Sequence, residues 1–330
     1  MKLLIVIVNY KVTELAIACL QSLAQEIDAT ADAKVVVVEN SSGEDAETCL
    51  RHAIAANSWD AWADLLPGFV NLGFSGANNL VIRKALATAD PPRYVMLLNP
   101  DTIVQPGSIS ALVRFMDERP EIGIAGSRLE YPGGGAQGTP FRFQGIASEF
   151  DRGAAIGLVS RILYRWSPCL PKSASACPVD WVAGAAMIIR RQVFEEVGLL
   201  DEGYFIYFED MDYCLNARRA GWPTWYVPQS LIVHVEGSSS GVTLFNRIRL
   251  PEYWFQARRR FFLKNYGKIY AVLADGAFIA GSVLCRLRHC MGSGTDRNPR
   301  WVLHDSIRHS VFFTGFRLEN RESTRGGASL

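Results

Sequence analysis

The 330-residue chain is 49% hydrophobic and 20% charged, apolar enough to bury one large domain or two smaller ones. Its 34 basic and 33 acidic residues leave a formal net charge of +1, which argues against wholesale nucleic-acid binding. Seven cysteines, an odd number with no CxxC pair, argue against a disulfide framework or a structural zinc site and fit thiols in a reducing compartment.

Met1-Lys2 is followed by a short apolar run that ends at Asn9, too short for the core of a signal peptide, so a cytoplasmic location is expected. The run Leu3 to Val8 reads instead as a buried strand. Val35 to Val38 and Tyr94 to Leu98 read the same way: short, rich in Val, Ile and Leu, and bounded by polar residues. Thr13 to Ala24 spaces Leu15, Cys19, Leu20 and Leu23 as a helix would, and a second helix is predicted over Ala77 to Ala87. Strand and helix alternate, which predicts an α/β fold with a mainly parallel sheet flanked by helices. Ligands of such sheets gather at the carboxyl ends of the strands. Asn9-Tyr10, Glu39-Asn40 and Asn99-Pro100-Asp101, which end the three runs, are therefore expected to converge on one crevice.

Tyr131 to Pro178, rich in Gly, Pro and Ser, predicts loops with one short helix, and apolar character returns at Val179 to Ile189. Beyond Leu250 the aromatic residues Tyr253, Trp254, Phe255, Phe261, Phe262 and Tyr266 surround Arg258, Arg259 and Arg260. Ile269 to Cys285 is about the length of a short membrane span, interrupted by Asp275, Gly276 and Gly281. Basic and aromatic residues together fit either a solvated helix face or an anchor in the lipid headgroup region, and the apolar stretch favours a tail lying on a membrane surface. The expected divisions are a nucleotide-binding domain over 1–245, a helical membrane-associated segment over 246–292, and a polar tail over 293–330 that is poorly ordered at its end.

Two acidic groups carry the chemistry. Pro100 cannot continue a central ladder, so the strand ending at Leu98 stops and Asp101 stands at the ligand edge. A carboxylate there suits a hard divalent cation shared with phosphate oxygens, but it equally suits a turn cap. Glu209, Asp210 and Asp212 crowd together behind an aromatic run. Such a cluster raises carboxyl pKa values, which suits a general base, while acids at a helix N-terminus, here before a helix over Cys214 to Ala220, are the structural alternative.

The stretch Leu97 to Thr102 resembles the metal-binding acidic motif of glycosyltransferase family 2, in its rhamnosyltransferase-like branch. Val6-Ile7-Val8-Asn9-Tyr10, Val38-Glu39-Asn40-Ser41-Ser42 and Asn71 to Asn79 resemble further motifs of that branch, so the likeness covers roughly residues 2 to 240. It implies a GT-A-like, Rossmann-type domain and inverting transfer of a sugar from a nucleotide diphosphate donor. Tyr10 and Glu39 would contact the base and Asn40 would shape its pocket. The Gly73–Asn78–Asn79 loop would lie near the donor phosphates, and Asn99 beside them. Asp101 would bind Mg2+ or Mn2+. The family often has Asp at the position of Glu39 and an acid at that of Asn99, which leaves the base preference open and removes one negative ligand. Glu209-Asp210-Met211-Asp212 with Arg218 and Gly221 is similar to the catalytic motif, implying Asp210 as base with Glu209 and Asp212 in support. Trp181 and Gly184 resemble the acceptor-side segment. His234, on its own more often a core residue, resembles the family's late histidine and would be a second metal ligand. Ser238 and Ser239 suit donation to phosphate oxygens, but a serine run is equally an ordinary loop.

The likeness suggests dTDP-rhamnose or a UDP-sugar as donor and a cell-surface glycan or polyprenyl-linked precursor as acceptor, handled at the inner face of the membrane. A sugar nucleotidyltransferase and a non-catalytic glycan-binding protein of the same fold are the rivals. Gly133 to Gly138 fits GxGxxG in letters only. It follows Tyr131-Pro132 and precedes Thr139-Pro140, not a strand and a helix, so a flexible loop is expected.

Overall fold

A computed structural model describes residues 1–27, 32–138, 140–171, 173–235, 237–238, 249–292 and 298–318. The elements run β1 (Leu3–Asn9), α1 (Thr13–Ile27), β2 (Ala33–Asn40), α2 (Glu44–Ala56), β3 (Ala63–Gly68), α3 (Gly73–Leu86), β4 (Tyr94–Leu98), β5 (Thr102–Val104), α4 (Ser108–Glu118) and β6 (Ile124–Glu130). Next come α5 (Ile146–Ala154), α6 (Gly157–Ile162), β7 (Cys177–Val179), β8 (Ala186–Arg190), α7 (Arg191–Val197) and α8 (Glu209–Arg219). β9 (Thr224–His234), α9 (Glu252–Cys290), α10 (Val302–Arg308) and α11 (Val311–Thr314) complete the order. The chain divides into two compact units: Met1–Phe141, Leu170–Asp201 and Tyr213–Gly241 form the first, and Arg142–Cys169, Glu202–Asp212 and Val242–Leu330 the second.

The first unit is an α/β sheet in the order β3-β2-β1-β4-β8-β6-β9-β5, with β7 added on β9. The pairs β3–β2, β2–β1 and β1–β4 are parallel, as the alternation of strands and helices predicts. Every residue of β1 and β4 is buried, which is why both read as unbroken apolar runs. Leu20 and Leu23 of α1 join Ile5, Ile7, Val35 and Met96 in the core. Past β4 the sheet becomes mixed: β8 is antiparallel to β4 and β6, β9 is parallel to β6, and β5 and β7 are antiparallel to β9.

Several local expectations need correction. α3 begins at Gly73, so the expected Gly73–Asn79 loop is in fact the first two turns of a helix. α8 begins at Glu209, which puts all three acids in its first turn, as the dipole argument allows. The Gly/Pro-rich middle holds α5, α6 and a short 3-10 turn at Tyr164–Trp166 rather than one helix. The tail holds α10 and α11 within 298–318, while 293–297 and 319–330 lie outside the described residues.

The second unit is helical, and α9 is its spine. Gly267 (φ 82°, ψ 178°) breaks α9 into two rods. The arginine run expected at a lipid surface is instead packed inward. Arg258 and Arg259 are buried, and Arg258 bonds Glu149 Oε2 at 2.5 Å as well as Asp275. Its guanidinium also lies 5.1 Å from the ring centres of Phe262 and Phe278. A buried guanidinium needs anionic partners to offset its lost hydration, and two carboxylates supply them here. α5 crosses the second rod where Gly153 and Gly281 meet: a Cβ at either position would collide with backbone of the other helix.

Candidate active site

Each of the two units carries one acidic group of its own. In the first unit the turn between β4 and β5 carries Asn99, Pro100 and Asp101. The β5–β9 ladder sets Thr102 opposite His234, and Val235 N donates to Asp101 O at 2.9 Å. This register brings Asp101 Oδ1 to 3.3 Å from His234 Nε2, with Asn99 Nδ2 3.4 Å from the same ring nitrogen. Both Asp101 and His234 are buried.

Gln137 fixes the imidazole from the other side. Its Nε2 donates to the backbone oxygen of His234 at 2.6 Å, so its Oε1, 2.9 Å from Nδ1, is the acceptor of an Nδ1–H. In a neutral ring so held, Nε2 is the nitrogen that carries the lone pair, and it faces Asp101. Two acceptor atoms 3.3 Å apart repel unless a proton or a cation lies between them. The spacing suits two donors each about 2.1 Å from one small divalent ion. Among the described residues no group of three His, Cys, Asp or Glu forms a cage, and an ion held by one carboxylate, one imidazole and diphosphate oxygens needs none. Burial alone would raise the Asp101 carboxyl. With a proton on the His234 ring, its hydrogen bond and charge, with Asp101's own backbone and the Ser238 hydroxyl, outweigh burial and hold the carboxyl below the ordinary range. Gln137 lies in the glycine loop read from sequence as merely flexible. The loop closes with Tyr131 N donating to Gly135 O at 2.9 Å and Gln137 N to Leu129 O at 2.8 Å, which leaves the Gln137 side chain buried. Ser239, expected as a phosphate donor, lies outside the described residues.

At the ends of β1 and β2, Asn9 is buried and its Oδ1 has no hydrogen-bond partner, while Tyr10 is half-buried. The Glu39 carboxylate folds back onto its own turn, accepting Ser41 N at 3.1 Å and Ser42 N at 2.7 Å. Asn40 reaches across to the start of α3: its Nδ2 donates to Asn71 Oδ1 at 3.0 Å and its Oδ1 accepts Leu72 N at 2.9 Å. Asn71 Oδ1 also accepts Gly73 N at 2.9 Å. The first turn of α3 has no acid and no side-chain cap. Ser75 Oγ and Asn78 Oδ1 are buried there without partners, and Asn78 Nδ2 donates to Phe74 O. Asn79 is taken up otherwise, exchanging two hydrogen bonds with the Leu200 backbone. Trp181 stacks on Phe141 at 4.2 Å between centroids, and the segment through Gly184 leads to Ala185, whose carbonyl accepts Asn99 N at 2.9 Å. The sequence places Asn71 at the start of a family-like motif but gives it no role, and nothing local distinguishes Gln137 from an ordinary loop amide.

In the second unit the three acids of α8 have three different environments. Asp212 is buried and saturated by Lys264 Nζ at 2.7 Å, Asn265 Nδ2 at 2.6 Å and Tyr204 OH at 3.1 Å. Glu209 is buried with Oε2 unpartnered, and burial, reinforced by the neighbouring Asp210 and Asp212 charges, pushes its carboxyl well up. Asp210 is the half-exposed member, its Oδ1 accepting Met211 N at 2.7 Å. Tyr207 and Phe208, just before the helix, hold left-handed φ values of 74° and 68°. Bulky residues take that region only when their surroundings compel it. Tyr253 stacks on Tyr207, and Trp254 and Phe261 pack on Phe208, all three from the first rod of α9.

A model of the family described as glycosyltransferase like family 2 matches residues 2–251. The chain belongs to that family. Among curated relatives, this family 2 chain is 30% identical over 188 residues to the N-acetylglucosaminyl-diphospho-decaprenol L-rhamnosyltransferase of Mycobacterium tuberculosis, a match covering 54% of the chain and 60% of the relative. It is 28% identical over 179 residues to rhamnosyltransferase WbbL of Escherichia coli, covering 53% and 64% respectively. The matches thus span less than two thirds of either relative. Among solved structures, GalNAc-T7 with UDP, GalNAc and Mn2+ superposes with a TM-score of 0.58 at 15% identity, covering 96% of this chain and 59% of that one. Mannosyltransferase PcManGT of Pyrobaculum calidifontis with GDP-Man and Mn2+ gives 0.55 at 14% identity, covering 95% and 83%. At those identities the family 2 chain shares a fold with them, the GT-A-like α/β arrangement.

Proposed function

We propose that the protein is an inverting, metal-dependent glycosyltransferase. It would move a sugar, rhamnose from dTDP-rhamnose or a hexose from a UDP-sugar, onto a hydroxyl of a polyprenyl-linked glycan precursor at the inner face of the membrane. The observation that carries the reading is the Asp101–His234 pair, two buried acceptor atoms 3.3 Å apart with Gln137 holding the ring. The rhamnosyltransferase relatives, one of them named for a decaprenol-linked substrate, and fold neighbours solved with Mn2+ and nucleotides support the substrate class.

Roles follow from the chemistry of each group. Asp101 Oδ1 and His234 Nε2 would hold Mg2+ or Mn2+, which when bound offsets charge on the departing diphosphate. The first turn of α3, where Asn40 and Asn71 take only the Leu72 and Gly73 N–H groups, would offer the unpartnered Ser75 hydroxyl and a positive helix end to the phosphates. Tyr10, with Glu39 and Asn40 shaping the wall, would receive the base, and Trp181 and Gly184 would line the acceptor. Asp210 takes the acceptor proton as the oxygen attacks the anomeric carbon in line. Exposure favours Asp210 over its neighbours: it is half-exposed, whereas Glu209 and Asp212 are buried. A thermal-shift panel of nucleotide sugars, each with and without Mn2+, tests the donor half: stabilisation by a nucleotide sugar that depends on the metal is expected. The Asp210→Asn protein tests the other half. It should keep donor-induced stabilisation while transfer falls about 100- to 10,000-fold, and near-normal turnover would remove Asp210 from its role.

A further inference from the structure

The second rod of α9 has two unlike faces. Ala271, Ala274, Phe278, Gly281, Ser282 and Cys285 are buried. Ile269, Leu273, Val283, Leu284, Leu287 and Met291 are exposed, Ile269 by 81% and Met291 by 73%. At about 100° per residue these six fall on one side, with Gly276 and Ala280 between them, forming an uncharged stripe roughly 33 Å long. Soluble surfaces rarely leave such a stripe without a partner. Moreover, every large apolar side chain exposed among the described residues belongs to the second unit, except Phe69, Val70 and Val235.

Charge identifies the partner. Lys268, Arg286 and Arg288 flank the stripe, and the one acid of this rod, Asp275, is buried against Arg258. An apolar face edged by cations with no exposed acid complements an anionic lipid surface. Length alone would let the rod cross a bilayer. Its packing forbids that. α5, pressed against its buried face, has nine residues and carries Glu149, Asp151 and Arg152, and α10 and α11 have seven and four. Such short helices cannot span hydrocarbon, and crossing would strand their backbone ends and charges in it.

We infer that the Ile269–Met291 stripe lies flat in the headgroup region of an anionic membrane, with Lys268, Arg286 and Arg288 on lipid phosphates. This rests on, and makes specific, the membrane-surface part of the function proposed above. It moves the contact away from the arginine run at 258–260, which is buried or half-buried.

The test uses the full chain and vesicles of phosphatidylcholine with or without phosphatidylglycerol, read by flotation. The wild type should float with the anionic vesicles and much less with the neutral ones, and added salt should weaken it. L273E/L287E should need about tenfold more lipid or more for half-binding, and R286Q/R288Q should lose the preference for anionic vesicles. Circular dichroism of both variants should match wild type. Flotation of L273E/L287E like wild type would overturn the inference. So would a wild-type dimer in solution that L273E/L287E converts to monomer, because the stripe would then be covered by a second copy. Metal-dependent hydrolysis of the donor in the absence of lipid separates the two proposals. If hydrolysis persists without vesicle binding, the surface fails alone; if vesicles bind without hydrolysis, the transferase reading fails alone.

Discussion

Replacing Arg258 by Met should be among the most damaging single changes outside the acidic groups. The guanidinium bonds Glu149, Asp275 and the Ala274 carbonyl, and both carboxylates are at most 5% exposed. Methionine keeps much of the side-chain volume between Phe262 and Phe278, so the loss is chiefly electrostatic. Two buried carboxylates would remain with no cation, and removing one side of a buried ionic group costs about 3–5 kcal/mol. At about 2–4 °C per kcal/mol, the melting temperature should fall by roughly 6–20 °C. Glu149→Gln should cost much less. Glu149 Oε1 already lacks a partner, and the triad carries more negative than positive charge, so neutralising one acid leaves Arg258 still paired with Asp275. Urea unfolding of the three proteins followed by circular dichroism gives the ranking. A cost below about 1 kcal/mol for Arg258→Met, or an equal cost for Glu149→Gln, would refute the claim that this triad holds the helical unit together.

Gln137→Leu removes the acceptor for His234 Nδ1–H and should weaken Mn2+ binding about 10- to 100-fold in a calorimetric titration while leaving the fold intact. Glu209→Gln should stabilise the protein at neutral pH. A carboxyl raised by burial favours the folded state below its unfolded value near 4.5 and loses that advantage as pH rises through its folded value, so the gain over wild type should vanish in acid. Asp101 has the opposite sign. A depressed carboxylate stabilises above its unfolded value of 3.8 and stops doing so as pH falls through its lower folded value, so Asp101→Asn should flatten the acid limb of the unfolding curve. Gly281→Val should destabilise the α5–α9 crossing by about 1–3 kcal/mol or more, read as an earlier urea midpoint.

What the sequence discloses depends on how local the cause is. β1, β2 and β4 are legible because burial on both faces forces an apolar run. The start of α3 is not: Gly73, Ser75, Gly76, Asn78 and Asn79 are poor helix formers, and contacts such as Asn79 with Leu200, 121 residues away, override their propensity. Arg258 misleads for the same reason. Nothing beside it announces that one of its anionic partners stands 109 residues earlier in the chain. Asp101, His234 and Asp210 stand out through the family-like motifs around them, since an acid opening a helix is also the dipole-favoured choice and a lone histidine is more often a core residue. Gln137 lies in no such motif, and its bond to the imidazole exists only once the β5–β9 register has delivered the ring.

The break at Gly267 has a mechanical corollary. Lys264 and Asn265, which clamp Asp212, sit just before it, and the stripe begins at Ile269 just after it. Only three residues, Tyr266, Gly267 and Lys268, therefore separate the clamp on the acidic helix from the part of α9 assigned to lipid. Such a short link acts as a ruler rather than a tether: it sets how far the carboxylates stand from the headgroups, and so how deep along a lipid-borne sugar the reacting hydroxyl can lie.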